Sequence, residues 1–553
     1  MAGSTLRTIS TLGVVALLVG GCSLLLDTAD ATQCSTDRDC ESNPALRNRT
    51  CREGFCVADT PETGTQTPDA SACVDTETCT RENSDQISVC PTPGAGPCII
   101  WQTEQCKSTV NPAAKDKNAI MIGSILPLTI AQPGGAPVKN VYSDRVRRSI
   151  DLAIEEILAK LGGGVVFPGG KVRPIAVVHC DSGLTAAGAK SALEHLTQVV
   201  GAQALIVDSD EDIAAIANEP SLQGKPVACA DCLGALPTGT LSWRIVPRLE
   251  LEAPMVAWRV KQLEAQIKAL PSPPADIKVG LLLSKERATD GFSAKLEQLL
   301  RFNGDKTTEQ NGAFFRRFVP EDPRVKAVIH ENHYNAIAEF EPDILVVAMG
   351  ADFTTYYLPG IEAKWTGARR PHYVTTVLNY EIEPFASLIG TNEDLRKRIS
   401  GSRPGYSPEL QDNVATFERS YAERFDGKRA DGAHSGYDAT YALAMAILTT
   451  RLQTLVSGAQ INTGFERLLS GQKVEFRPAN VPFAATALGA PSSTIDVRGL
   501  WSELAWNINT HDFDADVSMY CIKRDQDGLL FERNAGVTLH TATGIVDGTY
   551  SCD

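Results

Sequence analysis

Cys229-Ala230-Asp231-Cys232 sets two thiols three positions apart at the end of a short apolar run. At a helix start that spacing lowers a thiol's pKa and suits redox exchange. In an exported chain rich in cysteine it suits a structural bond better. His330-x-x-His333 lies on a helical stretch but is not in the H-E-x-x-H arrangement of the zinc hydrolases, so it reads as a solvated face. There is no G-x-S-x-G elbow and no G-x-x-x-x-G-K-[ST] loop. Gly162-Gly163-Gly164 follows a helical stretch and suits a cap and connector, not a phosphate cradle. Nothing in these residues supports an enzyme, a cofactor or a metal site.

Binding chemistry has more support. Four short apolar runs pass directly into small polar residues and then a helical pattern: Ile175–Cys180 into Asp181, Ala204–Val207 into Asp208-Ser209, Ile277–Leu283 into Ser284, and Ile344–Met349 into Gly350. That pattern belongs to parallel strands whose carboxyl ends open onto helix N-termini, where backbone N–H groups and the helix dipole hold a small polar ligand. Ser209 is suited to cap the helix after it, with Glu211 and Asp212 in the first turn opposing the dipole. Capping alone and capping combined with ligand contact are both open for it.

The elements that position these ends alternate along the chain. The first series is strand Ala119–Gly123, helix Asp144–Leu161, strand 174–180, helix 185–200, strand 204–208, helix 211–218 and strand Val227–Cys229. After an extended stretch, Leu241–Glu252, a second series starts with helix Ala253–Leu270 and runs to strand His372–Val377. Such alternation means βαβ units and parallel sheets covered on both faces. Glu409–Phe425 and the alanine-rich Gly436–Leu455 read as helices again, and Leu500–Ile508 and Val517–Ile522 as strands. The expected fold class is α/β, with two Rossmann-like lobes.

Composition agrees. The 553 residues exceed one ordinary core, which stops growing near roughly 250–300 residues. A net charge of −15 argues against a nucleic-acid partner. Thr11–Gly21, preceded by Arg7, is shorter than the ~20 apolar residues that span a bilayer and reads as a signal peptide. Fifteen cysteines in an exported chain imply disulfides. Setting Cys22 aside, they fall in blocks: Cys34, Cys40, Cys51 and Cys56; then Cys73, Cys79, Cys90, Cys98 and Cys106; then Cys180, Cys229 and Cys232; then Cys521 and Cys552. The second and third blocks are odd, so full pairing requires cross-links between blocks, most simply one bond between these two. Residues 23–116 lack long apolar periodicity and read as a disulfide-stapled stalk.

Three pieces carry resemblances. Val19-Gly20-Gly21-Cys22 resembles a bacterial lipobox, which implies lipid on Cys22. Ser23 after it leans towards the outer membrane, and the cell envelope of a Gram-negative bacterium is the implied location. "IMIGSILPLT" opening the body and "YDATYALAMAIL" at 437–448 look like the type I periplasmic binding proteins, in particular the leucine-binding group of ABC-importer substrate-binding proteins. The likeness covers roughly residues 118–525 and is most specific over 405–447. It implies a Venus-flytrap of two lobes joined by a three-strand hinge, here crossing near Trp243–Leu249, Ser400–Tyr406 and Pro491–Leu500. The implied domains are 1–22 signal peptide, 23–116 stalk and linker, 117–245 plus 402–490 lobe 1, 246–401 plus 491–525 lobe 2, and 526–553 tail.

By the same resemblance the first-lobe pocket is formed by Leu128–Gly134, Asp181–Thr185, Asp208–Asp212 and Ala230–Gly234, with Ser209 in the place of a pocket serine. The candidate ligand contacts are Asp181, Asp208, Ser209, Ala230, Asp231 and Cys232, with Asp290, Phe292, Phe353, Tyr356 and Asn379 in the second lobe. Where relatives have a Ser/Thr turn this chain has Cys-Ala-Asp-Cys, and close carboxylates repel a carboxylate ligand. That turns the expectation from an amino acid towards a neutral or cationic ligand, or none. The implied partners are a small polar molecule, an ABC permease and a membrane reached through the lipid. A sensor or a surface interaction lipoprotein with a degenerate cleft is the alternative.

Overall fold

Seven consecutive buried positions, Ile120–Leu126, cannot belong to a sheet with one wet face. In the computed structural model this strand lies inside a six-stranded sheet in the order Ser242–Arg244, Val227–Cys229, Ala204–Val207, Ile120–Leu126, Ile175–Asp181 and Ser108–Thr109. Every pairing is parallel except the last, where Ser108–Thr109 runs against Ile175–Asp181. A second sheet of eight strands runs Phe315–Phe318, Val279–Leu283, Ile344–Ala348, His372–Thr375, Ile399–Pro404, Val517–Arg524, Leu530–His540 and Ile545–Gly548. Its first five strands are parallel and its last three antiparallel.

The structure describes residue 36 and residues 49–52, 55–58, 72–83, 86–90, 94, 96–109, 116, 118–130, 135–322, 328–379, 382–405, 408–453, 456–500 and 502–552. The chain divides into a unit Met1–Ala70 and a unit Ser71–Asp553. In the first, Arg49–Arg52 and Phe55–Ala58 form a hairpin whose register sets Cys51 opposite Cys56. The leader, Cys22, Cys34 and Cys40 lie outside the described residues. No described helix is long and apolar enough to cross a membrane.

Each sheet of the larger unit is covered on both faces. Helices Val141–Lys160 and His434–Leu448 close one face of the first, and Ala186–Glu194 the other. Ala253–Lys268 and Arg287–Leu299 cover one face of the second, and His330–Phe340, Leu358–Lys364 and Ile382–Ile389 the other. His434–Leu448 is buried along its whole length, which explains its alanines. At Gly436 a Cβ would lie 2.7 Å from the Val146 carbonyl oxygen and 2.5 Å from Ser149 Oγ. Gly436, just before the "YDATYALAMAIL" piece, is thus a close helix contact. Gly436→Ala is expected to cost about 1–3 kcal/mol by overpacking, read as a lower urea midpoint at unchanged slope. Wild-type stability in that variant would show that the helix can retreat from Val146.

Several expectations on organisation need revision. Residues 72–109 are not a free stalk. Cys73–Cys90 and Cys79–Cys98 staple them locally, and Cys106–Cys180 is the bond between the second and third blocks expected as the simplest pairing. Gln105 Nε2 donates to the carbonyls of Asp181 and Gly188, and Ser108–Thr109 completes the sheet edge. Leu500–Ile508 is no strand: Leu500, Leu504 and Trp506 are buried in the first lobe's core together with Phe513. The third crossing therefore falls between Phe513 and Val517, not at 491–500, because apolar side chains hold 491–513 on lobe 1. The 526–553 tail contributes two strands to the second sheet and is tied by Cys521–Cys552.

Candidate functional site

The crossings bring the carboxyl ends of both parallel sheets to face each other. Between them lies a cavity of about 530 Å³. Its first-lobe wall includes Ile130, Asn140, Val141, Tyr142, Asp231, Leu233 and Ser435; its second-lobe wall includes Glu286, Ala351, Thr354, Leu378, Asn379 and Phe385. Asn140 starts the helix that presents Val141 and Tyr142, its side-chain carbonyl accepting from the N–H groups of Tyr142 and Ser143. The lobes touch on either side of this cavity: Arg145 Nη2 lies 3.3 Å from Glu383 Oε2, and the Arg287 N–H donates to Glu211 Oε1 at 3.4 Å.

The loop Cys229–Gly234 is clamped from three sides. Cys229 and Cys232 are bonded and fully buried. Asp210 accepts from the N–H groups of Leu233 and Gly234, and the Arg244 guanidinium donates to the carbonyls of Cys232 and Gly234 while pairing with Asp512. This clamp leaves Asp231 and Leu233 on the cavity wall. Ser209 caps its helix by accepting from the Asp212 N–H, and Asp212 accepts from Ser182 Oγ at 2.7 Å. The acidic run therefore ties neighbouring strand-end loops together.

Burial raises these carboxyls. Asp210 is pushed up to about 6 and Asp212 to about 7 by desolvation, against the donors just named. Asp208 goes well above the ordinary carboxylate range, first through desolvation and then through repulsion by Asp231, with the Ser143 hydroxyl opposing. Glu252, at the first crossing, is also raised by burial; it accepts from Val377 N–H and Ser402 Oγ and so links two crossings.

Of the candidate contacts, Asp231 and Asn379 lie on the cavity wall. Asp208, Ser209, Ala230 and Cys232 stand behind it, buried. Asp181 is occupied by Thr129 N–H, Thr129 Oγ1 and Gly183 N–H, which fold back its own loop. Phe292 and Phe353 point into the second lobe's two cores. Asp290 sits in a separate surface hollow, and Tyr356 stacks on His330 outside the cavity. Leu233 falls in the expected loop Ala230–Gly234, whereas Tyr142, Leu378 and Phe385 were not anticipated. An Asn at 140 with Ser143 three residues on was the available signal for Tyr142, since it caps a helix beginning three residues before the expected start.

No protein-family model and no curated protein matches the sequence. Solved structures do. The branched-chain amino acid transporter substrate-binding protein LivJ from Streptococcus pneumoniae, in complex with isoleucine, superposes with a TM-score of 0.52 at 14% identity, covering 75% of this chain and 99% of that one. The fold is that of the type I periplasmic binding proteins. A solute-binding protein of an ABC transporter from Rhodopseudomonas palustris, in complex with 3,4-dihydroxybenzoic acid, gives a TM-score of 0.51 at 14% identity, covering 75% and 97%. In open α/β sheets generally, ligands bind in the crevice outside the carboxyl ends of the strands.

Proposed function

We propose that this chain is a solute-binding protein of the cell envelope, held by lipid on Cys22, whose lobes close on a small ligand and deliver it to an ABC permease. The observation that carries the reading is the cleft of about 530 Å³ walled by both lobes, a size suited to small-molecule sites. Three chain crossings support it, because hinge closure needs only a few extended residues to absorb the motion. The lipid anchor rests on the Cys22 sequence pattern. We assign the chain no catalysis of its own.

A thermal-shift screen with amino acids, amides, amines and aromatic acids tests the proposal. A solute that binds the native state alone should stabilise it by RT ln(1 + [L]/Kd), about 2.7 kcal/mol at a hundredfold excess over Kd. A flat response to every solute would favour a sensor or interaction lipoprotein whose cleft has degenerated.

A further inference from the structure

Two buried side-chain oxygens on the wall of this cleft, Asn379 Oδ1 and Ser435 Oγ, have no hydrogen-bond partner among the described residues. Resting on the solute-binding reading above, we propose that it takes a small organic cation: an ammonium or guanidinium head on an apolar body, without a carboxylate. The first reason is Asn379, which is 4% exposed and lies on the wall. Its Nδ2 donates to the Gly350 carbonyl at 3.1 Å, which commits the amide's orientation and leaves Oδ1 with no partner among the described residues. The Ser435 hydroxyl, 3% exposed and on the same wall, is likewise unpartnered there.

The second reason is charge. Four charged side chains reach the wall: Lys139, Arg145, Asp231 and Glu286. Both cations are engaged by carboxylates of the chain, Lys139 by Asp144 at 2.8 Å and Arg145 by Glu383 at 3.3 Å. Behind Asp231 stands Asp208, 4% exposed, whose carboxyl is eased by the Ser143 hydroxyl and set against Asp231 and Asp212. A buried carboxylate beside another is costly unless a cation or donor meets it. An anionic ligand would add to that repulsion, whereas a cation relieves it. Val141, Leu233, Leu378 and Phe385 supply apolar surface for the body of the ligand.

Desolvation and Asp231 hold Asp208 towards its protonated form, with Asp212 adding repulsion and the Ser143 hydroxyl opposing. An arriving cation favours the ionised form, so binding is expected to release protons and to tighten as pH rises.

Calorimetry on the whole chain decides, using phenethylamine and agmatine against 3-phenylpropionate and leucine. The amines are expected to bind and the two carboxylates not. Asp231→Asn should weaken the amines at least tenfold while leaving the melting temperature of the free protein near wild type. Should that variant fold poorly, Asp208→Asn reads the same charge from behind the wall and should also weaken them. Binding of 3-phenylpropionate or leucine without either amine overturns this inference and leaves the solute-binding reading intact. Failure of every solute in the wider screen overturns both. Amine binding untouched by both variants shows that the cation sits elsewhere.

Discussion

Replacing Cys106 and Cys180 together by serine is expected to cost about 4 kcal/mol of stability, from the loop-closure entropy of a bond that spans 74 residues. The local bonds Cys73–Cys90 and Cys79–Cys98 span only 17 and 19 residues and do not tie the segment to the lobe. Without Cys106–Cys180, residues 72–109 hold to lobe 1 through Gln105, the contact of His195 with the Trp101 carbonyl, the two-residue strand Ser108–Thr109 and a few buried groups such as Val89 and Trp101. The double variant should therefore show both a lower urea midpoint and early proteolytic release of this segment. An unchanged midpoint together with intact proteolytic resistance would mean that docking, not the covalent bond, holds the edge of the sheet.

The parallel sheets were legible because fully buried strands leave nearly unbroken apolar runs. Ile120–Leu126, Ala204–Val207 and Ile344–Ala348 each read as such, and each is buried throughout. The edge additions were not legible for the opposite reason. Leu530–His540 carries Glu532, Arg533, Asn534 and Thr538 and is only partly buried, so it lacks the apolar run of an inner strand. Helices Gly458–Glu466 and Val481–Leu488 are short and gain their stability from lobe 1's core, a long-range contact that no local pattern encodes.

The site shows the same division. Ile130, Asp231 and Leu233 come from strand-end loops that the sequence marks, but side-chain direction was not legible. Phe292 shares a helix face with Ala288 and Leu296, a spacing of four that turns it inward. Asp231 and Asn379 reach the wall because tertiary clamps hold their loops: Asp210 and Arg244 for one, and the hydrogen bond from Asn379 Nδ2 to the Gly350 carbonyl for the other.

Asp212→Asn is expected to change the pH dependence of stability by roughly 4 kcal/mol, about 1.4 kcal/mol for each unit by which burial displaces the carboxyl from 3.8 to about 7. The unfolded chain loses this proton near pH 4, whereas the folded protein keeps it to about 7. Between those limits the native state binds more protons, so Asp212 makes stability fall as pH rises and contributes no further slope above pH 7. Buried His372, lowered to about 4, works the other way between pH 4 and its ordinary 6.5, so the wild-type curve alone is a mixture. The difference between variant and wild type isolates Asp212. Urea unfolding at pH 4, 6 and 8 should show that difference moving steadily in the variant's favour up to pH 7. The amide keeps an acceptor for Ser182 Oγ, so the link between strand-end loops survives in the variant. A difference constant with pH would mean that Asp212 is ionised in the folded protein throughout, and that the acidic floor behind the cleft is better hydrated than its burial implies.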